Sequence, residues 1–195
     1  MSAFWKQHGL VIGITVISVL IAATDPQSTA LLRYDRQAVA AGQWWRLITG
    51  NLAHLGWSHL FMNLAGLGLI WAVFHHHLSR TMWTAVWLVS ALAVSGGLYF
   101  FNESLRWYVG LSGVLHGLLL AGIVASIMRG YRLEWALLIF VAGKLLWEQW
   151  RGALPGSEHL AGGPVVVDAH LYGAFGGLLT AGGTLLWHRL RSRSR

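Results

Sequence analysis

The sequence predicts an all-α fold, a polytopic membrane bundle of six transmembrane helices forming a single domain over residues 1–195. Of the 195 residues, 55% are hydrophobic and only 11% are charged, whereas soluble domains carry roughly 25% charged residues. Four long runs contain no Lys, Arg, Asp or Glu, and each could cross about 30 Å of hydrocarbon as a helix. These runs are residues 47–79, 81–102, 107–128 and 169–188. The predicted spans are residues 4–23, 52–74, 81–101, 110–128, 133–150 and 169–187.

The composition excludes several classes of function. The chain has no cysteine, so thiol catalysis, disulfides and thiolate metal sites are all excluded, while serine chemistry remains open. The formal net charge is +7, but the basic residues stand in short clusters between apolar segments, as topology signals do. We therefore expect the lipid bilayer as a partner and no nucleic acid.

The first span, residues 4–23, is followed by a turn at Thr24-Asp25-Pro26. Its length and the small residues at 22–23 also fit a cleavable signal peptide, and we favour a retained helix. Residues 24–46 are polar and amphipathic and include the pair Trp44-Trp45. Indole rings suit the headgroup interface, so we expect this stretch to lie on the membrane.

Polar residues interrupt the later spans at defined places. Span two carries His54, His59 and Asn63 in its first half and ends at three adjacent histidines, 75–77. Neighbouring residues on a helix point in different directions, so an exposed loop is a better interpretation of these three than a metal site. No metal ion or other cofactor is predicted. In span five, Lys144 and Glu148 share one face, and either a functional pair or a structural bridge would explain them.

The distribution of basic residues predicts the orientation in the membrane. One predicted face holds the larger set, Lys6, Arg80, Arg129, Arg132, Arg189, Arg191, Arg193 and Arg195. The other face holds Arg33, Arg36, Arg46, Arg106 and Arg151. Because cytoplasmic loops are enriched in Lys and Arg, both termini are expected in the cytoplasm. Spans two, four and six then enter from the outer face.

Span four begins with Gly110-Leu111-Ser112-Gly113. The glycines could serve close helix packing, with the Ser112 hydroxyl bonded to its own helix. Alternatively, Ser112 could be a nucleophile at a helix N-terminus, where unpaired N–H groups favour an oxyanion. The G-x-S-x-G motif of soluble hydrolases is not met, because Val114 replaces the last glycine.

The orientation brings His59, Asn63, Ser112 and His170 to similar depth near the outer face. Polar groups in hydrocarbon are costly unless they pair or line a wet cavity, so we expect a polar pocket that contains parts for acyl transfer. Two histidines compete as the base. His116 follows Ser112 by one helical turn, whereas His170 lies on span six.

A G-x-x-x-G face at Gly173 and Gly177 would let span six approach span four closely. Close approach is what an interhelical pair of serine and histidine requires.

Taken together, these motifs resemble the rhomboid family of intramembrane serine proteases. The resemblance rests on the six-span plan and on Trp45-Arg46, His59-Leu60-Phe61-Met62-Asn63, Gly110-Leu111-Ser112-Gly113, and Ala169-His170 with Gly173 and Gly177. It implies Ser112 as nucleophile and His170 as base, without a triad acid. It implies His59, Asn63 and the Ser112 backbone N–H as oxyanion donors. We expect Gly110 and Gly113 to support these donors, and His116 and His54 are secondary candidates for the site. The expected substrates are membrane-anchored proteins, which would be cleaved near the outer-facing boundary of the membrane in which the protein lies.

Within the family, His116-Gly117 and the stretch His54-Leu55-Gly56-Trp57-Ser58-His59-Leu60 are similar to the bacterial rhombosortase branch. That similarity implies substrates with C-terminal Gly-Gly tails and a bacterial inner membrane location. With the orientation predicted from the basic residues, the active site is then expected to face the periplasm.

Two other functions stay open on the sequence. One is a catalytically inactive rhomboid-like protein that binds transmembrane segments. The other is a haem or metal protein that uses some of the ten histidines, since paired histidines in helical bundles often bind haem. The zinc-protease motif H-E-x-x-H is absent. A transporter is less favoured, because its polar residues are expected near the midplane.

Overall fold

The computed structural model describes residues 3–193, with side chains described for residues 4–5 and 7–183. The elements are α1 (Ala3–Ala23), α2 (Gln27–Leu32), β1 (Tyr34–Asp35), α3 (Arg36–Ala40), α4 (Arg46–Thr49), α5 (Trp57–Phe74), α6 (Arg80–Phe101), β2 (Trp107–Tyr108), α7 (Ser112–Met128), α8 (Glu134–Arg151), α9 (Ser157–Ala161) and α10 (Val167–Arg193). The described chain is mostly helical, which confirms the predicted class in its coarse form.

The six-span count stays a prediction. By length and apolar composition, α5 and α6 each qualify to cross a bilayer. The helical segments Gln7–Ala23 and Ser112–Met128 are apolar but shorter. Charged residues lower the apolar character of α8, which contains Glu134, Lys144, Glu148 and Arg151.

Two predicted spans begin later than expected. Residues 52–56 are turn and loop, and α5 starts at Trp57 because Gly56 is fully extended, with φ 166° and ψ −177°. Residues 110 and 111 precede α7, since Gly110 has a φ of +133°, which a helix cannot accommodate. The helices α5 and α7 therefore start a few residues after the approximate starts that the sequence predicted for spans two and four.

A two-residue antiparallel ladder, absent from the sequence prediction, joins the segment after α2 to the loop before α7. Tyr34 pairs with Tyr108, and Asp35 pairs with Trp107. Arg46 holds the first of these segments from inside, because its guanidinium donates to the carbonyl oxygens of Ala30 and Arg33 at 3.1 and 2.8 Å. The segment that leads to Ser112 is thus paired with β1, and the Arg46 side chain holds the backbone just before β1 in place.

The bundle is built around α7, which packs against α5, α6, α8 and α10. Its contact with α10 uses four glycines, Gly113 and Gly117 from α7 with Gly173 and Gly177 from α10. A Cβ atom on Gly173 would collide with the Gly113 carbonyl, and one on Gly177 would collide with the Gly117 carbonyl. The predicted close approach of these two segments is confirmed.

The N-terminal end of α10 is fixed against the C-terminal end of α6. Asn102, which follows α6, accepts a hydrogen bond from the Tyr172 hydroxyl at 2.9 Å and donates one to the Asp168 carboxylate. The Tyr172 ring lies on Gly97, where a Cβ would overlap it. These contacts set the position of the turn of α10 that carries His170.

We expect Gly177→Ala to lower the melting temperature of the detergent-solubilised protein, because the added methyl group must push α10 away from the α7 backbone. Overpacking of this kind costs about 1–3 kcal/mol or more, which corresponds to a loss of several degrees. Gly182→Ala is the matched control on the same helix, since nothing lies within 4 Å of its Cβ position. Equal melting temperatures for the two variants would contradict the packing argument.

Candidate active site

Ser112 is the first residue of α7, and Gly110 shapes the approach to it. The positive φ of Gly110 favours glycine, and a Cβ there would lie 2.9 Å from the Cε1 atom of His59. The Tyr108 hydroxyl donates to the Gly110 carbonyl at 2.8 Å, and burial raises the pKa of Tyr108 to about 12. Glycine at position 110 therefore allows both this turn and the contact with His59.

His170 meets Ser112 across the interface between α7 and α10. Its Nε2 atom lies 3.0 Å from the Ser112 Oγ atom, which is within hydrogen-bond distance. Both residues lie at the start of their helices, so the close backbone packing at Gly113 and Gly173 brings their side chains to the same end of the bundle. The side chain of His170 is buried, with 5% of the residue exposed.

The hydrogen bonds around His170 assign its tautomer. Its Nδ1 atom lies 3.0 Å from Oε2 of Glu148 on α8. An ionised carboxylate only accepts, so Nδ1 carries the proton and donates it to Glu148. The Nε2 atom of the neutral ring is then an acceptor, aimed at the Ser112 hydroxyl. This is the arrangement that a general base requires.

His116 has a different arrangement from the one a base would need. Its Nδ1 atom donates to the Ser112 carbonyl oxygen at 2.8 Å, within the same helix. Its Nε2 atom is then an acceptor and lies 2.7 Å from Nζ of Lys144. The rings of His116 and His170 are stacked, with centroids 4.3 Å apart. His116 therefore contacts the backbone of Ser112 and the face of His170, while His170 alone of the two contacts the hydroxyl.

Lys144 and Glu148 complete a buried network around the two histidines. Nζ of Lys144 donates to Oε2 of Glu148 at 2.8 Å, and the carboxylate is 3% exposed. The sequence showed that this pair shares a helix face, but no local spacing could show that the face points at His170 on another helix. The i, i+4 spacing of two charged residues inside a predicted span was the available signal.

His59 and Asn63 lie on one face of α5, beside the Ser112 segment, and both are buried. The Leu55 backbone N–H donates to Nδ1 of His59 at 3.3 Å, so the ring proton of the neutral imidazole is on Nε2. The Asn63 amide donates to the His59 carbonyl oxygen at 3.0 Å and keeps its second N–H. Each side chain thus has a donor for the space near Ser112.

His54 lies behind this pair. Its Nδ1 atom contacts the Leu52 carbonyl oxygen at 3.1 Å, and its ring packs edge-on against His59 with centroids 5.0 Å apart. It supports the ring of His59 and is absent from the lining of the cavity described below.

The side chains described above, apart from His54, line a cavity of about 260 Å³. Its wall consists of His59, Met62, Asn63, Tyr108, Val109, Ser112, Leu115, His116, Lys144, Glu148, Leu154, Ser157, Ala161, Pro164, Val165, Val166 and His170. The loop after α8 and the short helix α9 cover it, and Ser58 ties α9 to α5 by donating to the Leu160 carbonyl oxygen at 2.7 Å. Ser112 therefore faces a partly open cavity whose wall is mainly apolar.

One cluster in the described part of the chain has the donor atoms of a metal site. Ligand atoms of His116, Glu148 and His170 lie within 4.8 Å of one another. Nζ of Lys144, however, lies 2.7, 2.8 and 3.3 Å from these three residues, respectively. The ammonium group stands where a cation would bind, and two cations cannot share this volume. These residues fit an internal ion network and do not fit a metal ion.

Comparisons with known proteins bear on the family of the chain. Residues 41–187 match the family model of the rhomboid domain. A relative in Bacillus subtilis (strain 168), named "Putative rhomboid protease YdcA", is 34% identical over 80 residues. That match covers 41% of this chain and 40% of the relative, so it spans less than half of either protein. Since the domain match extends from the loop before α4 into α10, the chain belongs to the rhomboid family of integral membrane proteins, which are intramembrane serine proteases.

Proposed function

We propose that this protein is an intramembrane serine endopeptidase that cleaves membrane-anchored proteins with a dyad of Ser112 and His170. The observation that carries the proposal is the 3.0 Å contact between Ser112 Oγ and His170 Nε2, at the wall of a cavity of about 260 Å³. The contact of Nδ1 of His170 with Glu148 leaves Nε2 as the acceptor that a base needs. An inactive relative that only binds transmembrane segments would not need this contact.

The proposed reaction is acyl transfer in two steps. His170 Nε2 takes the proton from Ser112 as Oγ attacks the carbonyl carbon of the scissile bond, and it then gives that proton to the departing amine. A water molecule, deprotonated by the same nitrogen, hydrolyses the acyl-enzyme and frees the Ser112 hydroxyl. The cleaved products are a carboxylate and an amine.

Three donors support the negative oxygen of the tetrahedral intermediate in this proposal. They are Nε2–H of His59, the free N–H of the Asn63 amide, and the backbone N–H of Ser112. The backbone N–H belongs to the first turn of α7, where N–H groups lack carbonyl partners within the helix. Gly110 supports this arrangement by letting the His59 ring approach, and Gly113 does so by letting α10 approach.

The proposed substrates carry small residues, with a Gly-Gly pair before a C-terminal transmembrane helix as the preferred case. A peptide bond within a helix is shielded and its carbonyl is already hydrogen-bonded, so attack requires local unwinding, which glycine makes easier. The cavity of about 260 Å³ is more easily filled by a peptide with small side chains than by one with large ones. The resemblance to the rhombosortase branch supports the same choice.

The proposed setting is a single multi-pass domain in the bacterial inner membrane. Both termini would be cytoplasmic, and the end of the bundle that carries Ser112 and His170 would face the periplasm. The excess of basic residues on the face of the termini supports this orientation.

Cleavage should be abolished in Ser112→Ala and in His170→Ala, since removing either member of a catalytic unit costs about as much as removing both. His116→Ala should keep a measurable fraction, because its ring contacts the Ser112 carbonyl and not the hydroxyl. His59→Ala and Asn63→Ala should each lose on the order of 10²–10³-fold in kcat, as expected for one oxyanion donor. The measurement is the cleavage rate of a membrane-anchored reporter by purified protein.

Ser126→Ala on the same helix and His76→Ala outside the cavity are the matched controls for these variants, and both should retain cleavage. Full activity of His170→Ala with none in His116→Ala would reverse the assignment of the base.

A reporter with a Gly-Gly pair before its C-terminal helix and basic end should be processed when co-expressed with this protein. Replacing the pair by Leu-Leu should strongly reduce processing, because leucine stabilises the helix and its larger side chains fit less easily into the cavity. The measurement is the ratio of cleaved to intact reporter. Equal processing of both reporters would contradict the preference for small residues.

A topology reporter fused after Arg195 should read as cytoplasmic, and one inserted near Gly156 should read as periplasmic. The reason is the larger number of basic residues on the face of the termini. An external reading for the C-terminal fusion would move the proposed site to the cytoplasmic side.

A further inference from the structure

The carboxylate of Glu148 is a polar group of the site to which a dyad of Ser112 and His170 gives no role. It is buried, on a helix that carries neither Ser112 nor His170, and Oε2 lies 3.0 Å from Nδ1 of His170. Removing a carboxylate from water costs free energy unless its partners compensate for the lost hydration. Its position on the far side of the imidazole from Ser112 therefore calls for an explanation.

We infer that Glu148 is a positioning residue that acts through His170, so that α7, α10 and α8 contribute a chain of Ser112, His170 and Glu148. This inference rests on the proposed serine protease chemistry and goes beyond the dyad. Glu148 holds the proton of His170 on Nδ1, and this leaves Nε2 free to accept from Ser112. The carboxylate also stabilises the imidazolium that forms when Nε2 takes the serine proton, and it does not take up a proton itself.

Lys144 places the carboxylate. Its ammonium group donates to Oε2 of Glu148 at 2.8 Å and to Nε2 of His116 at 2.7 Å, and His116 in turn is anchored to the Ser112 carbonyl oxygen. The network therefore closes on itself, from Ser112 through His116, Lys144, Glu148 and His170 back to Ser112. In the described contacts of this network a donor faces an acceptor, with one exception. Nζ of Lys144 and Nδ1 of His170 are both donors and lie 3.3 Å apart. Both donate to the same acceptor, Oε2 of Glu148.

A purely structural ion pair is the competing explanation. In that case Glu148 would serve only to neutralise Lys144, and its contact with His170 would be incidental. The charged and titratable groups that face His170 are His116 from α7, Lys144 and Glu148 from α8, and His59 from α5. Variants of the α8 pair can separate the two explanations.

The test compares Glu148→Gln, Glu148→Asp and the double variant Lys144→Met with Glu148→Gln. The readouts are the second-order rate of Ser112 labelling by a fluorophosphonate probe, and kcat and KM on a cleaved reporter. We expect Glu148→Gln to lower the labelling rate and kcat on the order of 10²–10⁴-fold, as the loss of a triad carboxylate does. KM should change little, and Glu148→Asp should recover part of the rate. Melting temperatures confirm that each variant is folded.

The double variant removes the buried lysine that Glu148→Gln would leave without its carboxylate. If orientation of His170 is the role of Glu148, the double variant should be as slow as Glu148→Gln. Recovery of the wild-type labelling rate in the double variant would overturn the inference, because the pair would then be merely structural. Labelling of Glu148→Gln at the wild-type rate would overturn it as well.

A spectroscopic readout does not depend on activity. In wild-type protein with ¹⁵N-labelled histidine, the Nδ1 proton of His170 should give a strongly deshielded resonance, because it is hydrogen-bonded to a carboxylate. Glu148→Gln should remove this signal, and its persistence would overturn the inference.

The failure of the proposed function has a separate outcome. Labelling of wild-type Ser112 without cleavage of the reporter would remove the proposed substrate and leave the role of Glu148 supported by the labelling rates. No labelling of wild-type Ser112 would remove the serine chemistry and this inference together.

Discussion

The contact between α7 and α10 is the constraint on which the rest of the structure depends. Packed helices usually lie 8–10 Å apart, according to the side chains between them, but here four glycines let the two backbones touch. Ser112 and His170 both lie in the first turns beside this contact, so their separation is fixed by backbone packing and not by flexible side chains. The proposed nucleophile and base, held in this way, need little rearrangement before they can react.

The polar network costs less than its members would separately. The network of Lys144, Glu148, His116 and His170 places two charged groups and two imidazoles inside a bundle whose core is mainly apolar. Each of these groups would be expensive to bury alone. Because each donor faces an acceptor, the network is satisfied within the protein. This explains how α8 can carry charges and still pack against α7 and α10.

The loops fix the second half of the site. Arg46 donates to backbone carbonyls at the end of α2, and the strand β1 that follows α2 pairs with the strand before Gly110. The Gly110 backbone N–H also donates to the Gly50 carbonyl oxygen at 3.2 Å. His59, which packs on Gly110, is therefore positioned by the same set of contacts that positions the N-terminus of α7. The donors proposed for the oxyanion and the proposed nucleophile thus share one rigid support.

Local patterns in the sequence by themselves determined the helical class, the approximate extent of the long helices, and the polar residues that open three of them. Runs of apolar residues and i, i+4 spacing are local properties, so Ser112, His59 and Asn63, and the shared face of Lys144 and Glu148, could all be found without a structure. The glycine spacing at 173 and 177 even indicated which helix would come close to Ser112.

Tertiary structure alone decided where residues far apart in the chain meet. Both His116 and His170 could reach Ser112 on sequence grounds, and only the packing of α10 on α7 puts the Nε2 atom of His170, and not that of His116, against the hydroxyl. The proximity of Glu148 to His170 and the pairing of Tyr34 with Tyr108 arise in the same way, because distances between elements depend on the packing of the whole bundle and not on the spacing within any one segment.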